Sequence, residues 1–330
     1  MEKERSRKRW LVIWITAGLL ILSVYTGLSF GAASVSLSEI IDTFLNKGTA
    51  VHQTIIMDLR LPRVIIGLLV GACLAASGSL LQGVMKNPLA DPGIIGVSAG
   101  GGLAAIVTVL IFPQFGYLLP PAAFAGAFIT TLIIYSLAWE KGASPVKIIL
   151  AGVAMNALLG ALMNGVMVLY SDRVQSVLSW LSGGLNGRSW YHLEFMLPYA
   201  LIGLVLCFFA IRPANIILLG EDSARLLGQN VELSRLLLIL LASFLAGTAV
   251  SVGGLIGFVG LVVPHMIRLL IGEDYRYLLP LSMLGGGALV VFADTAARTL
   301  FDPIELPVGI LLACIGAPFF LYLLRKRRLA

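Results

Sequence analysis

Apolar runs of about twenty residues recur from one end of the chain to the other, separated by short polar stretches. A helix of about 20 residues spans the roughly 30 Å hydrocarbon core of a bilayer and satisfies its backbone hydrogen bonds internally. A membrane barrel would instead alternate apolar and polar residues over about 10 positions. Of the 330 residues, 58% are hydrophobic and 12% charged, about half the charged share of a soluble domain. The expected fold is all-α: a polytopic integral membrane protein of about ten transmembrane helices, with residues 1–330 forming one membrane domain. The 36 glycines fit close helix packing in lipid, where small residues let backbones approach.

The runs place spans at roughly 10–30, 62–82, 93–112, 117–138, 146–170, 191–211, 235–252, 257–271, 278–300 and 307–324. The block from Leu236 to Ile271 would make a single helix of about 54 Å, too long for one crossing, so Gly253-Gly254 is read as a break. Charge then orients the chain, because basic residues collect at the cytoplasmic ends of spans. Both termini are basic, with Lys3, Arg5, Arg7, Lys8 and Arg9 at one and Arg325, Lys326, Arg327 and Arg328 at the other. Ten spans put both inside, whereas nine would strand one outside. In the ten-span arrangement only six of the 23 basic residues face out: Lys47, Arg60, Arg63, Arg173, Arg188 and Arg298. The rest, Lys86, Lys141 and Arg212 among them, face in. The net charge of +6 thus reports orientation rather than a nucleic-acid partner. The first run lacks a small-residue cleavage site and is read as a retained span. Cys73, Cys207 and Cys314 lie within apolar runs and show no metal or disulfide spacing, so they count as small hydrophobes.

The segments between spans carry the chemistry. LRLPR (Leu59 to Arg63) sets two arginines around Pro62 at the outer mouth of the second span, where basic residues are scarce. Arg298 shares that side, and Asp294 stands at i, i+4 spacing from it, suited to a local ion pair. SLSEIIDTFL (Ser36 to Leu45) has Ser36 and Glu39 spaced as a capping box and an apolar face of Leu37, Ile40, Ile41, Phe44 and Leu45, giving a short helix on the outer surface. RVQSVLSWLSGG (Arg173 to Gly184) is a second short outer helix, with Val174, Val177, Leu178 and Leu181 on one face. On the inner side, KNPLADPGIIGVSAGGG has Pro88 and Pro92 stopping helix around Asp91, with Gly93 freeing the chain to turn. It forms either a tight hairpin loop or a shaped constriction that includes Asn87. In NIILLGEDSARLLGQN, Gly220 and Gly228 bracket a helix of about seven residues that Asp222 can cap. Its Leu226 and Leu227 sit beside Glu221 and Arg225 in a loop facing water, packed on their own chain or seated in a partner's groove. His52, His192 and His265 are too scattered to hold a metal and are read as structural. The chain contains no Gly-Lys dipeptide, hence no phosphate loop of that type, so uphill transport would draw on a separate ATPase.

Three stretches together resemble a known family. LRLPRVIIGLLVGACLAASGSLLQGVMKNPLADPGIIGVSAGGG, GGLIGFVGLVVPHMIRLLIGEDYRYLLPLSMLGGGALVVFADTAART and ELPVGILLACIGAPFFLYLL are similar to the FecCD-type permeases of ATP-binding-cassette importers for iron–siderophore complexes, haem and cobalamin. The resemblance covers essentially the whole chain. It implies a multi-pass protein of the cell membrane with both termini cytoplasmic, no cofactor in this chain and no catalysis of its own. It also implies a second permease subunit (another copy or a paralogue), two cytoplasmic ATP-binding-cassette ATPases and an extracytoplasmic substrate-binding protein. By motif match, Arg60, Arg63 and Arg298 would receive acidic residues of the binding protein. Glu221, Ala224, Leu227 and Gly228, with the neighbouring Leu226, would couple to an ATPase. Asn87, Leu89 and Ser144 would form the cytoplasmic gate. The expected cargo is an iron–siderophore complex, with haem or cobalamin as the alternative. A self-contained secondary carrier would place ionisable groups deep within its spans, and none stands out. The three outward arginines speak against a purely structural subunit.

Overall fold

The computed structural model describes residues 2–139, 144–301 and 304–327; Lys141 and Arg328, counted above among the inner charges, lie outside them. Each of the ten expected spans coincides with a helix. These are α1 (Glu2–Ser29), then α4 (Leu61–Val84) after the short outer helices α2 (Leu37–Phe44) and α3 (Ala50–Gln53), followed by α5 (Val97–Ile106), α6 (Leu119–Leu137) and α7 (Pro145–Leu169). After α8 (Gln175–Leu181) come α9 (Trp190–Leu218), the short α10 (Glu221–Leu226), α11 (Val231–Gly253), α12 (Val259–Ile271), α13 (Tyr275–Thr299) and α14 (Val308–Arg327). Among the described residues, seven helical stretches are long and apolar enough to cross a membrane, and three shorter apolar ones complete the set: Val97–Ile111, Val259–Ile271 and Val308–Tyr322.

The core is built on α4. The apolar stretch that ends in α4 is 78% buried, against 17% for α7, so α4 is the central post and α7 lies at the margin. Side chains shrink to nothing where α4 meets its neighbours. A Cβ on Gly71 would lie 2.1 Å from the Gly286 carbonyl oxygen of α13, and one on Gly78 would lie 1.9 Å from that of Gly260 in α12. In lipid no hydrophobic gain separates helices from acyl chains, so backbone-to-backbone approach of this kind supplies the packing. Gly78→Ala is therefore expected to destabilise the bundle by about 1–3 kcal/mol through overpacking, read as a fall in thermal stability of the purified protein in detergent. An unchanged melting point would show that the α4–α12 contact yields freely.

Contacts along α13 fix the direction of the helices. Arg9 of α1 stacks over the Tyr277 ring, the Tyr275 hydroxyl donates to the Ser79 carbonyl (2.8 Å), and Arg298 donates to the Gly27 carbonyl. So α1 and α13 run parallel, α4 runs against both, and α14 returns. The start of α1 and the end of α14 consequently share one end of the bundle, the terminus end, while Arg60, Arg63 and Arg298 share the other, the arginine end. The break at Gly253-Gly254 is real: α11 stops at Gly253, Gly254 takes φ +71°, and α12 restarts after Phe258, itself left-handed at φ +68°.

Local expectations fared unevenly. The Ser36–Glu39 capping box is present, and its Ser36 hydroxyl holds the Glu39 carboxyl below the ordinary carboxylate range. In α8 the buried residues are Val177 and Trp180, while Leu178 is exposed. The Trp180 carbonyl accepts from the Leu255 amide, so α8 docks by its tryptophan edge on the α11–α12 break. Nor does Gly93 make the turn into the third span. Pro92–Ile95 forms a 3-10 turn, and Gly96, at φ +80°, is the left-handed residue that starts α5.

Candidate functional site

Two clusters stand out, one at each end of the bundle. At the arginine end, Arg60 ends a widened helical turn, Thr54–Arg60, that runs directly into α4. Its Nη1 donates to the Leu28 carbonyl at 2.6 Å and the Ser29 carbonyl at 2.9 Å, and its Nη2 donates to Ala33. Arg298, with its bond to Gly27, reaches the same place from α13. Two cations thus close the last turn of α1, whose final carbonyls have no helical partner and carry the negative end of the helix dipole. Arg63 grips Asp294 with two parallel bonds, Nε to Oδ2 at 2.8 Å and Nη2 to Oδ1 at 2.9 Å, and its Nη1 meets Glu305 Oε2 at 2.9 Å. This planar fork ties α4 to α13 and to the segment leading into α14.

The three arginines do come together, as expected, but they are not free surface charges. Arg60 is 6% exposed, Arg63 9% and Arg298 6%. The expected Asp294–Arg298 ion pair is also absent: Asp294 is taken by Arg63. Local spacing favours i, i+4 partners only on an open helix face, and here the guanidinium of a neighbouring helix reaches the carboxylate with better geometry. What the three arginines share is a cavity of about 400 Å³, lined also by Asp58, Arg188 and Glu305. Arg188 and Glu305 were missed as members of this site. Both stand in irregular segments, where no periodicity announces them. The nearest sequence signal was the rarity of basic residues on this side.

At the terminus end, α9 delivers the chain into α10. Gly220 takes φ +101° and occupies the position before the helix with no side-chain cap, so Asp222 does not cap it as expected. Ala224 is fully buried, while Leu226 is 89% exposed and Leu227 62%. Glu221 turns inward and meets buried Arg235 of α11 at 2.5 Å, with Arg225 at 3.9 Å on its other oxygen. An exposed apolar pair on a helix pinned from behind is the reverse of a loop packed on its own chain. Gly228, at φ +77°, ends the segment.

The loop after α4 is braced rather than loose. Asn87 Oδ1 accepts from the Leu89 amide at 3.0 Å, and Asp91 Oδ1 from the Gly93 amide at 2.9 Å. Asn156 of α7 donates to the Gly93 carbonyl at 3.0 Å, and a Cβ on Gly152 would lie 2.0 Å from the Ile94 carbonyl oxygen. Ser144 stands at the N-cap position of α7 and makes no side-chain capping bond. The helix it begins meets the loop at Gly93 and Ile94. Among the described residues no group of three His, Cys, Asp or Glu side chains is arranged to hold a metal.

Known proteins share this architecture. The description of the FecCD transport family matches residues 19–326. The Fe(3+)-citrate import system permease protein YfmE of Bacillus subtilis is 42% identical over 323 residues, covering 97% of each chain. The cobalamin import system permease protein BtuC of Halobacterium salinarum is 44% identical over 277 residues, covering 83% of this chain and 74% of that protein. An inward-facing metal-chelate type ABC transporter superposes with a TM-score of 0.86 at 32% identity, over 96% of this chain and 99% of that one. The Streptococcus pneumoniae PsaBC complex, at 18% identity and a TM-score of 0.59, shares the fold alone. A bundle of apolar helices matched along nearly its full length by importer permeases is a multi-pass cell-membrane protein and an ABC importer permease, and the chain belongs to the FecCD transport family.

Proposed function

We propose that this permease carries a ferric siderophore-type chelate into the cell, with its termini and α10 on the cytoplasmic side and the arginine end outside. A binding protein delivers the chelate to the cavity bounded by Arg60, Arg63 and Arg298. Two ATPases grip α10 of each permease copy through Leu226, Leu227 and the flanking Glu221, Ala224 and Gly228. Their closure rocks the helices between outward-open and inward-open states. The loop holding Asn87 and Leu89, together with Ser144 at the start of α7, closes the pathway on the cytoplasmic side. What carries this assignment is the leucine pair on α10: at 89% and 62% exposure, on a helix anchored by the Glu221–Arg235 contact, it is made to be covered by another protein. The iron cargo is favoured because the relatives matched over nearly their whole length include an Fe(3+)-citrate permease and the Bacillus subtilis iron(3+)-hydroxamate permease FhuG.

The decisive experiment is purification of the complex from native membranes, identification of the ATPase and binding protein that accompany it, and reconstitution into liposomes. Labelled iron supplied as ferric citrate or ferric hydroxamate should accumulate only with ATP inside and binding protein outside. Accumulation of cobalamin but not iron would replace the cargo. Iron uptake driven by an ion gradient without ATP would overturn the mechanism.

A further inference from the structure

The short helix α2 stands outside the spans, and its sides differ in kind. At about 100° per residue, they fall into three faces. Ile40 and Thr43 are buried, and Ile40 shares a buried cluster with Leu28 of α1 and Ile56 of the turn leading into α4. Leu37, Ile41 and Phe44, continued by Leu45 at the C-cap, form an apolar face whose members are each between 48% and 58% exposed. Ser38 and Asp42 are exposed on the third face, with Glu39 beside them. The middles of the three faces lie about 120° apart. A helix resting on a protein in water meets two environments, protein and water. One packed face, one apolar exposed face and one polar face match three: protein, hydrocarbon and water. The height of α2 agrees. Trp190 and Tyr191 begin α9, and both are exposed. Trp190 Nε1 donates to the Met57 carbonyl at 2.9 Å, and the Tyr191 hydroxyl donates to the Tyr117 carbonyl at 3.2 Å. Exposed Trp and Tyr rings of this kind collect where headgroups meet acyl chains. Met57 adjoins Ile56, which shares its cluster with Ile40, so that boundary passes at the level of α2. The chain also arrives there from α1, whose Ile21 and Tyr25 are exposed, as is Phe30 just beyond it.

We propose that α2 is a membrane-interface anchor, with the face of Leu37, Ile41, Phe44 and Leu45 inserted into the lipid leaflet at the arginine end. Four half-exposed side chains offer on the order of a few hundred Å², short of the roughly 800 Å² per partner of a stable protein interface. Insertion into a leaflet has no such threshold and scales with the apolar area buried. Within α2 the charged side chains are Glu39 and Asp42, and none is Lys or Arg. The anchor therefore holds by apolar burial, unlike basic amphipathic helices that are drawn to anionic headgroups. Its effect reaches the cavity, because the segment between α1 and α2 supplies the Ala33 carbonyl that accepts from Arg60. Pinning α2 at the headgroups keeps the mouth of the cavity at the membrane surface.

The test uses the full chain in nanodiscs of phosphatidylcholine, with a spin label at one introduced cysteine at a time. Cys73 and Cys207 are buried, and the exposed Cys314 is first replaced by Ser. Labels at Ile41→Cys and Phe44→Cys should collide with oxygen, which concentrates among acyl chains, and lose collisions with a water-soluble nickel chelate. Labels at Ser38→Cys and Asp42→Cys should show the reverse. Exchanging part of the lipid for phosphatidylglycerol should leave the pattern unchanged. Adding Ile41→Asp should shift a label at Leu37→Cys from the oxygen pattern to the nickel pattern, since a carboxylate is expelled from hydrocarbon. Equal nickel collisions at all four positions would place the apolar face in water and overturn the proposal. Shielding of positions 41 and 44 from both reagents would mean that protein covers the face, and would overturn it too. Dipolar broadening would then identify a second copy, and shielding that appears only with added binding protein would identify that partner. A pattern that needs phosphatidylglycerol would overturn anchoring by apolar burial.

Discussion

Leu226→Asp together with Leu227→Asp is expected to abolish uptake and to leave the permease folded. The two leucines are 89% and 62% exposed, so little packing within the chain is lost when they go. Seated in a partner, each would contribute about 1.5–3 kcal/mol by burial, and two together correspond to several orders of magnitude in association. The aspartates do more than remove this gain, because a carboxylate entering an apolar groove must be desolvated without a partner. The expected signature is a permease of native melting temperature that no longer retains its ATPase and no longer transports. Residual ATP hydrolysis by the released ATPase would be insensitive to the binding protein. Replacing Glu221 by Ala should give a milder version of the same defect, since it frees α10 from Arg235 without altering the apolar surface. Normal uptake by the double aspartate variant would remove the case for α10 as the coupling element.

The sequence was most legible where a single run or a single turn decides the structure. Ten apolar runs became ten helices, and the Gly253-Gly254 break appeared where the hydrocarbon thickness demanded one. The Ser36–Glu39 cap formed because its partners are three residues apart. Legibility ended where a partner lies far along the chain. Asp294 had an arginine four residues away and bonded instead to Arg63, 231 positions distant. The engagements of Arg60 and Arg63 are not legible in LRLPR, because neither the carbonyls at the end of α1 nor the approach of Glu305 is visible there. Direction within a turn was equally opaque: Gly93 and Gly96 both stand after Pro92, and only the 3-10 turn closed by Asp91 decides that the second becomes left-handed. In the site itself, residue type and side of the membrane were readable, but which donors are already spent was not.

The same distinction gives the arginine end its largest expected stability effect. Asp294→Ala is expected to cost about 3–5 kcal/mol, because it leaves the buried Arg63 guanidinium with only Glu305 and two unpaired donors. Arg63→Ala should cost a similar amount by stranding Asp294, which is 5% exposed. Glu305, whose side chain is 35% exposed, can turn to water in either case, so the damage belongs to the Arg63–Asp294 pair. A buried pair is hard to break and easy to replace, since its Coulomb attraction mostly offsets the desolvation of two charges. Arg63→Leu combined with Asp294→Leu should therefore unfold at a higher temperature than either alanine variant, restoring the α4–α13 contact with apolar packing. Thermal unfolding of the native protein, Arg63→Ala, Asp294→Ala and the double alanine variant in one detergent gives the coupling energy directly. Additive losses in the double variant would mean that the two residues do not act as a pair. Binding of the delivery protein to the leucine variant then separates scaffold from recognition: affinity that survives in the refilled variant makes Arg63 part of the cavity wall, and affinity that is lost makes it a docking contact.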